Sequence, residues 1–92
     1  MDGNIVAAMG GRVVFAGGDA CCSYGLYVVI EGPGGITTLY AHLGRLLVKE
    51  GQTVKQGQAL GPVGCTGHCT GNHLHFEVFQ DGRRINPLLY LP

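Results

Sequence analysis

The chain has 92 residues, the size of one small domain, with six basic and six acidic residues and a formal net charge of zero. The absence of a basic cluster argues against a nucleic-acid partner. Apolar residues make up 46% of the chain and charged residues only 13%, a composition that excludes disorder. No apolar run approaches the roughly 18 residues needed to span a bilayer, and the N-terminus lacks a signal-peptide pattern.

Short apolar segments separated by turn residues predict an antiparallel β-sandwich or barrel. Seventeen glycines favour a turn-rich β protein, and no segment longer than a turn has helical periodicity, so the predicted class is all-β. Asp81-Gly82 is typical of a hairpin turn. The predicted strands, in chain order, are Ile5–Ala8, Arg12–Gly17, Leu26–Glu31, Ile36–Leu43, Ala59–Val63 and His73–Gln80.

A near-repeat occupies residues 48–58, where the pattern V-x-x-G-Q occurs twice in succession. Its regularly spaced glycines, Gly51 and Gly57, suit tight corners because glycine adopts positive φ without steric cost. The repeat therefore predicts two corners between very short strands.

Four cysteines form two pairs, and neither pair has the C-x2-C spacing of a zinc knuckle. Adjacent cysteines and a C-x3-C in a glycine-rich loop favour disulfides between two neighbouring loops, with free thiols or a metal site as alternatives. Three connectivities are open, and disulfides would fit an extracytoplasmic location. The residues are Cys21, Cys22, Cys65 and Cys69.

Two histidines, His73 and His75, lie two positions apart in a predicted strand. Because side chains alternate along a strand, both imidazoles are expected on one face. Two parallel imidazoles make half of a metal site or an acid–base site. Glu77 is expected on the same face, where it could orient an imidazole or pair with an arginine. Tyr40 lies two residues before His42, so the two are expected to share a face, although a packed aromatic is the default for Tyr40.

Four further motifs occur in a fixed order with the glycine repeat. They are Y-G-x-Y-V-V-I at 24–30, T-L-Y-A-H-L at 38–43, T-G-N-H-L-H-F-E-V at 70–78 and I-N-P-L-x-Y-L at 85–91. Together they resemble the LytM/lysostaphin-type zinc metallopeptidases, which cleave peptide cross-links in bacterial peptidoglycan. The resemblance covers nearly all of residues 1–92 as a single domain. It implies an antiparallel β fold of the duplicated hybrid motif type, with the active site in a groove on the sheet.

The resemblance also implies roles for three histidines. His75 would bind Zn²⁺, while His42 and His73 would be catalytic, assisting the attacking water and the oxyanion. Zinc lowers the pKa of bound water and polarises the scissile carbonyl, and a neutral imidazole can take the water's proton. His68 lies in a loop and is expected to be a solvated side chain.

One part of the family pattern is missing from this sequence. The family takes two further zinc ligands from an upstream H-x(n)-D motif, but no histidine precedes His42, and Asp2 lies too late by the spacing. A catalytic zinc normally has three protein ligands. Whether the chain is an enzyme is therefore left open, and three explanations compete.

The chain could be a piece of a longer peptidoglycan endopeptidase, or a degenerate domain that binds peptidoglycan or a protein partner through the same groove. Alternatively, His42, His73 and His75 could form a zinc site themselves. Peptidoglycan peptides are the expected partners, and the expected location is extracytoplasmic, whether secreted, periplasmic or in the cell wall.

Overall fold

The computed structural model describes residues 4–18, 25–64 and 75–85. These residues form eight strands and one 3-10 turn at Pro33–Gly35. The strands are β1 Asn4–Val6, β2 Gly11–Gly18, β3 Leu26–Glu31, β4 Ile36–Leu43, β5 Thr53–Val54, β6 Ala59–Pro62, β7 His75–Gln80 and β8 Arg83–Ile85. Six of them form an antiparallel sheet in the order β5-β2-β3-β4-β7-β8, and β1 pairs with β6 in a second sheet.

The predicted all-β class is confirmed, and β3 and β4 have the predicted bounds. β1 ends two residues earlier than predicted, and the predicted start of the last long strand, His73-Leu74, lies outside the described residues. The predicted hairpin turn is confirmed, since Asp81 and Gly82 have φ values of 53° and 85°. β8 was not predicted as a strand. It follows that turn and pairs with β7.

The core lies between the two sheets and is built by strand alternation. On the large sheet Val28 pairs with Tyr40 and Val13 with Ile30, and all four side chains are buried. The second sheet and the corner segment supply apolar side chains from the opposite side. The whole cluster comprises Ile5, Ala7, Val13, Val28, Ile30, Tyr40, Leu43, Val48, Val54 and Leu60.

The opposite face of the large sheet is called here the outer face. It carries Phe15, Val29, Leu39 and Glu77, which lie side by side because each pairs in register with the next across β2, β3, β4 and β7. Strand neighbours of core residues must point to this face. It is therefore the face on which a groove can lie.

The repeat at 48–58 forms the two equivalent corners that the sequence predicts. In each corner the glutamine Oε1 accepts a hydrogen bond from the N–H of the lysine three residues earlier, at 3.2 Å for Gln52 and 3.0 Å for Gln58. Gly51 and Gly57 have φ values of 93° and 85°. Each glycine N–H donates to a carbonyl of residues 7–13, at 2.7 and 2.8 Å. One corner is thus attached to β2 of the large sheet, and the other to the residue that follows β1 of the second sheet.

Two further sequence expectations concern the cysteines and membrane spans. Cys21, Cys22, Cys65 and Cys69 all lie outside the described residues, and the structure gives no support for a disulfide there. In the described ranges no helix is long and apolar enough to cross a bilayer.

Candidate functional site

A β-bulge near the end of β4 determines the position of His42. Ala41 and His42 together lie opposite the single residue Tyr27 of β3, because the register of the two strands shifts by one at this point. Bulges re-aim side chains and are frequent next to active sites. His42 has a φ of 63°, in the left-handed region that residues with a Cβ seldom adopt. The expectation that Tyr40 and His42 share a face assumed regular alternation between them, and the bulge interrupts that alternation.

The bulge is held from a second side by residues 62–64. The carbonyl of His42 accepts a hydrogen bond from the Gly64 N–H at 3.0 Å, and Leu43 forms a bridge with Val63. A Cβ on Gly64 would lie 2.5 Å from the Cα of Gly44, so only glycine fits there. His42 as a whole is 5% exposed. Its backbone and its burial both fix the imidazole in place.

The register between β4 and β7 places the backbone of His75 beside this bulge. Ala41 pairs with His75, so their Cα atoms lie roughly 5 Å apart. His73, His68 and the side chain of His75 lie outside the described residues. The structure thus brings His42 and the backbone of His75 to one end of the sheet, and the convergence of the three imidazoles remains a prediction.

The structure describes the backbone of His75, the predicted zinc ligand, at the start of β7. Among the described residues no group of three histidine, cysteine, aspartate or glutamate side chains could hold a metal ion. The side chain of His75, the ligand that the family pattern predicts, lies outside the described residues. The residues that the structure describes therefore do not contain a complete catalytic zinc site, and no reaction step is derived through a metal.

Glu77 follows His75 by two residues on β7 and is 6% exposed. Its Oε2 lies 3.3 Å from the Nη2 of Arg84 on β8, whose side chain is 65% exposed. A buried carboxylate needs such compensation. The pairing of Glu77 with an arginine is thus confirmed, and its contact with an imidazole remains a prediction.

The sequence predictions did not include Arg84, although a signal for it existed. The Asp81-Gly82 turn leaves a two-residue loop, which pairs Gln80 with Arg83 and Phe79 with Arg84. Arg84 then lies diagonal to Glu77 across the hairpin, within reach of a long side chain.

Two aromatic contacts lie near the site, one on the outer face and one involving the core residue Tyr40. Phe15 and Tyr27 stack on the outer face with ring centroids 4.6 Å apart, a contact that was not predicted. Tyr40 is a packed aromatic residue of the core, which was the default expectation for it. Its ring centroid is 5.2 Å from that of Phe76. The Tyr40 hydroxyl accepts a hydrogen bond from the Ala8 N–H at 2.9 Å. Burial raises the pKa of Tyr40, and its hydrogen bonds offset the rise only in part.

Curated relatives of this chain include both an activator and an enzyme. Murein hydrolase activator NlpD of Salmonella dublin is 43% identical over 88 residues, which are 96% of this chain and 23% of NlpD. Peptidoglycan DD-endopeptidase ShyA of Vibrio cholerae is 47% identical over 64 residues, which are 70% of this chain and 15% of ShyA. The chain thus spans less than a quarter of each of these two relatives.

Solved structures with the same fold also differ in their described roles. The catalytic domain of the prophage-encoded M23 protein EnpA from Enterococcus faecalis has a TM-score of 0.86 at 30% identity, covering 97% of this chain and 70% of EnpA's. SpoIIQ, in its complex with SpoIIIAH, has a TM-score of 0.88 at 35% identity, with coverages of 99% and 58%. A zinc-containing peptidase from Vibrio cholerae has a TM-score of 0.76 at 42% identity, with coverages of 84% and 23%.

The sequence profile of peptidase family M23 matches residues 1–87, nearly the entire chain. This match agrees with the LytM/lysostaphin-type resemblance in the sequence motifs and with the folds of the solved structures. The chain therefore belongs to peptidase family M23.

Proposed function

We propose that this chain forms the histidine-bearing part of a zinc endopeptidase groove that hydrolyses peptide cross-links of peptidoglycan. His42 and His73 are the catalytic residues in this proposal, and His75 is a metal ligand. The observation that carries it is the conformation of His42, which is buried and left-handed at a bulge beside the backbone of His75. Backbone strain of this kind costs about 1–3 kcal/mol and clusters at active sites.

The chemistry of the chain's own residues follows from this position. A neutral imidazole within hydrogen-bond reach of the scissile amide can accept a proton from water, and a second can donate to the developing oxyanion. The bulge and the Gly64 hydrogen bond fix the backbone of His42 before substrate arrives, which reduces the entropy lost in the reaction. Zinc, when bound, supplies Lewis acid polarisation of the carbonyl.

The metal requirement extends the proposal beyond these residues. Within residues 1–92, taken as a single M23 domain, His75 is one of the three ligands that a catalytic zinc normally takes. A segment with the H-x(n)-D pattern would supply the other two. We therefore expect zinc affinity to rise steeply when such a segment is joined to this chain.

A second function is favoured by the relatives. NlpD is named as an activator of murein hydrolases, and its similarity covers 96% of this chain. SpoIIQ is described in a complex with another protein. A groove without a complete zinc site could bind peptidoglycan or a protein partner and leave hydrolysis to another enzyme. Either function would be carried out outside the cytoplasm, where peptidoglycan lies, and one relative, from Pseudomonas aeruginosa, is named a lipoprotein.

The test is release of peptides from purified peptidoglycan in the presence of Zn²⁺, by this chain and by the chain joined to an H-x(n)-D segment. His42→Ala and His73→Ala should abolish release at unchanged zinc content, and His75→Ala should also lower the zinc content. His68→Ala is the matched histidine control and should leave both unchanged.

The two functions give different outcomes in this experiment. Cleavage that is unchanged in all three variants removes these histidines from the mechanism. Sedimentation of the chain with peptidoglycan, without peptide release from either form, supports the binding function.

A further inference from the structure

The outer face has different chemistry on its two sides. The stacked rings of Phe15 and Tyr27 lie on β2 and β3, and both side chains are half-buried. The ion pair of Glu77 and Arg84 lies on β7 and β8. β4, which carries His42, lies between these two pairs of strands. A peptide bound across the face therefore meets an apolar surface on one side of His42 and a charged group on the other.

The guanidinium of Arg84 is held in place and still accessible. Glu77 is nearly buried, and its Oε2 lies 3.3 Å from one guanidinium nitrogen, Nη2. The Arg84 side chain remains 65% exposed. A guanidinium has five N–H donors in a planar fork, which matches the two oxygens of a carboxylate. One contact to Glu77 leaves donors for a second carboxylate from solution.

The spacing of the sheet fixes how far this second carboxylate would lie from the histidines. Glu77 is two residues along β7 from His75, which is roughly 7 Å. β8 is two strands from β4, and two strand spacings are roughly 10 Å. These two offsets are perpendicular and combine to roughly 12 Å, so a carboxylate on Arg84 would lie three to four extended residues from a bond held at His42.

We propose that Arg84, oriented by Glu77, is a carboxylate subsite of the groove, and that it selects peptides with a free carboxylate three to four residues from the bond at His42. The apolar part of the same peptide lies over Phe15 and Tyr27. This inference rests on the proposed peptidoglycan groove, because it names the chemistry of the peptide that the groove accepts.

The test compares two synthetic peptidoglycan stem tetrapeptides, one with a free C-terminal carboxylate and one with a C-terminal amide. Calorimetry measures their binding to the wild type, Arg84→Gln and Arg83→Gln. Arg84→Gln should weaken binding of the acid about tenfold, the loss expected for one charge-assisted hydrogen-bonded pair, and binding of the amide by less than about twofold. Arg83 neighbours Arg84 on β8, so Arg83→Gln controls for loss of one positive charge and should match the wild type.

Partial unfolding of a variant would lower the apparent affinity for the acid and for the amide alike, because both peptides are measured on one preparation. The ratio of the two affinities is therefore insensitive to loss of folding. Arg84→Lys retains the charge without the fork, and its ratio should lie between those of wild type and Arg84→Gln. The double variant Glu77→Gln/Arg84→Gln removes the buried carboxylate together with the guanidinium and should lose the preference as well.

Three results would overturn the subsite: equal weakening of acid and amide in Arg84→Gln, an unchanged ratio, or no binding of either peptide to the wild type. The outcome is separate from catalysis, because His42→Ala should keep the wild-type ratio while losing cleavage. A wild type that cleaves but shows no acid preference contradicts the subsite alone. A wild type that prefers the acid but never cleaves contradicts hydrolysis alone.

Discussion

His42 is buried and has a positive φ, a backbone conformation that is unfavourable for residues other than glycine. The T-L-Y-A-H-L motif indicated its importance through resemblance, but nothing in that motif predicts a left-handed residue. Neither glycine nor asparagine, the usual signals for positive φ, occupies position 42. The conformation results from the shift in register against Tyr27, which depends on the pairing of two strands and not on local propensity.

The first prediction compares two replacements of His42 that both remove the imidazole. His42→Gly should be more stable than His42→Ala by about 1 kcal/mol, because glycine carries no left-handed penalty. Urea unfolding measures the difference. Both variants should lose peptide release equally.

Asp81 provides the matched control for this comparison, since its φ is 53° and it lies in an exposed hairpin turn. Asp81→Gly should likewise exceed Asp81→Ala in stability, with no effect on peptide release. A glycine variant at 42 that is less stable than the alanine variant would contradict the left-handed conformation of His42.

The second prediction concerns Tyr40, whose pKa is raised above the ordinary value of 10.0 by burial. Tyr40→Phe leaves the Ala8 N–H without its acceptor and should cost about 1 kcal/mol at neutral pH. As pH rises above 10.0 the unfolded chain loses the phenol proton before the folded chain does, so the wild type loses stability there.

Tyr40→Phe lacks this titration, and its deficit relative to the wild type should therefore shrink as pH rises above 10.0. Urea unfolding at neutral pH and above pH 10.0 measures both free energies. A deficit that stays constant across this range would show that Tyr40 does not titrate differently in the folded state.

At the scale of elements, alternation and turn residues predicted most of the sheet. β3 and β4 were predicted to the residue because side chains that favour strands, aliphatic in β3 and including two threonines in β4, follow clear turn residues. β8 was missed because its three residues, Arg83–Ile85, give too short a pattern to recognise without its partner strand. The bulge in β4 was missed for a similar reason, since a register is a property of two strands and not of one.

The corner repeat supports a third prediction, since its two glycines are equivalent in conformation. Gly51→Ala and Gly57→Ala should each cost about 1–2 kcal/mol and by similar amounts, because both have positive φ. No atom lies within 4 Å of a Cβ placed at either position, so the cost is conformational only.

The control for the corners is Gln56→Ala, an exposed neighbour in the same repeat, which should change stability by less than about 0.5 kcal/mol. Thermal or urea unfolding gives all three values. A large difference in stability between the two glycine variants would mean that the two corners contribute unequally to the free energy of unfolding despite their matching hydrogen bonds.

At the scale of the molecule, five sequence motifs in fixed order predicted the family, and the family profile and solved structures confirm it. The sequence predicted a groove on the sheet, and the structure places His42 and the backbone of His75 at one end of that sheet. The contributions of residues other than the histidines to this groove could not be predicted from the sequence. The aromatic stack and the Glu77–Arg84 pair each join residues from separate strands, and only the folded register brings them together.

The central claim is that His42, His73 and His75 belong to one peptide-binding groove. NMR of ¹⁵N-labelled histidine side chains, during titration with a soluble cross-linked peptidoglycan peptide, tests it directly. The account predicts that the signals of these three histidines shift along one binding curve while the signal of His68 stays in place. A His42 signal that does not move while His75 shifts would contradict it.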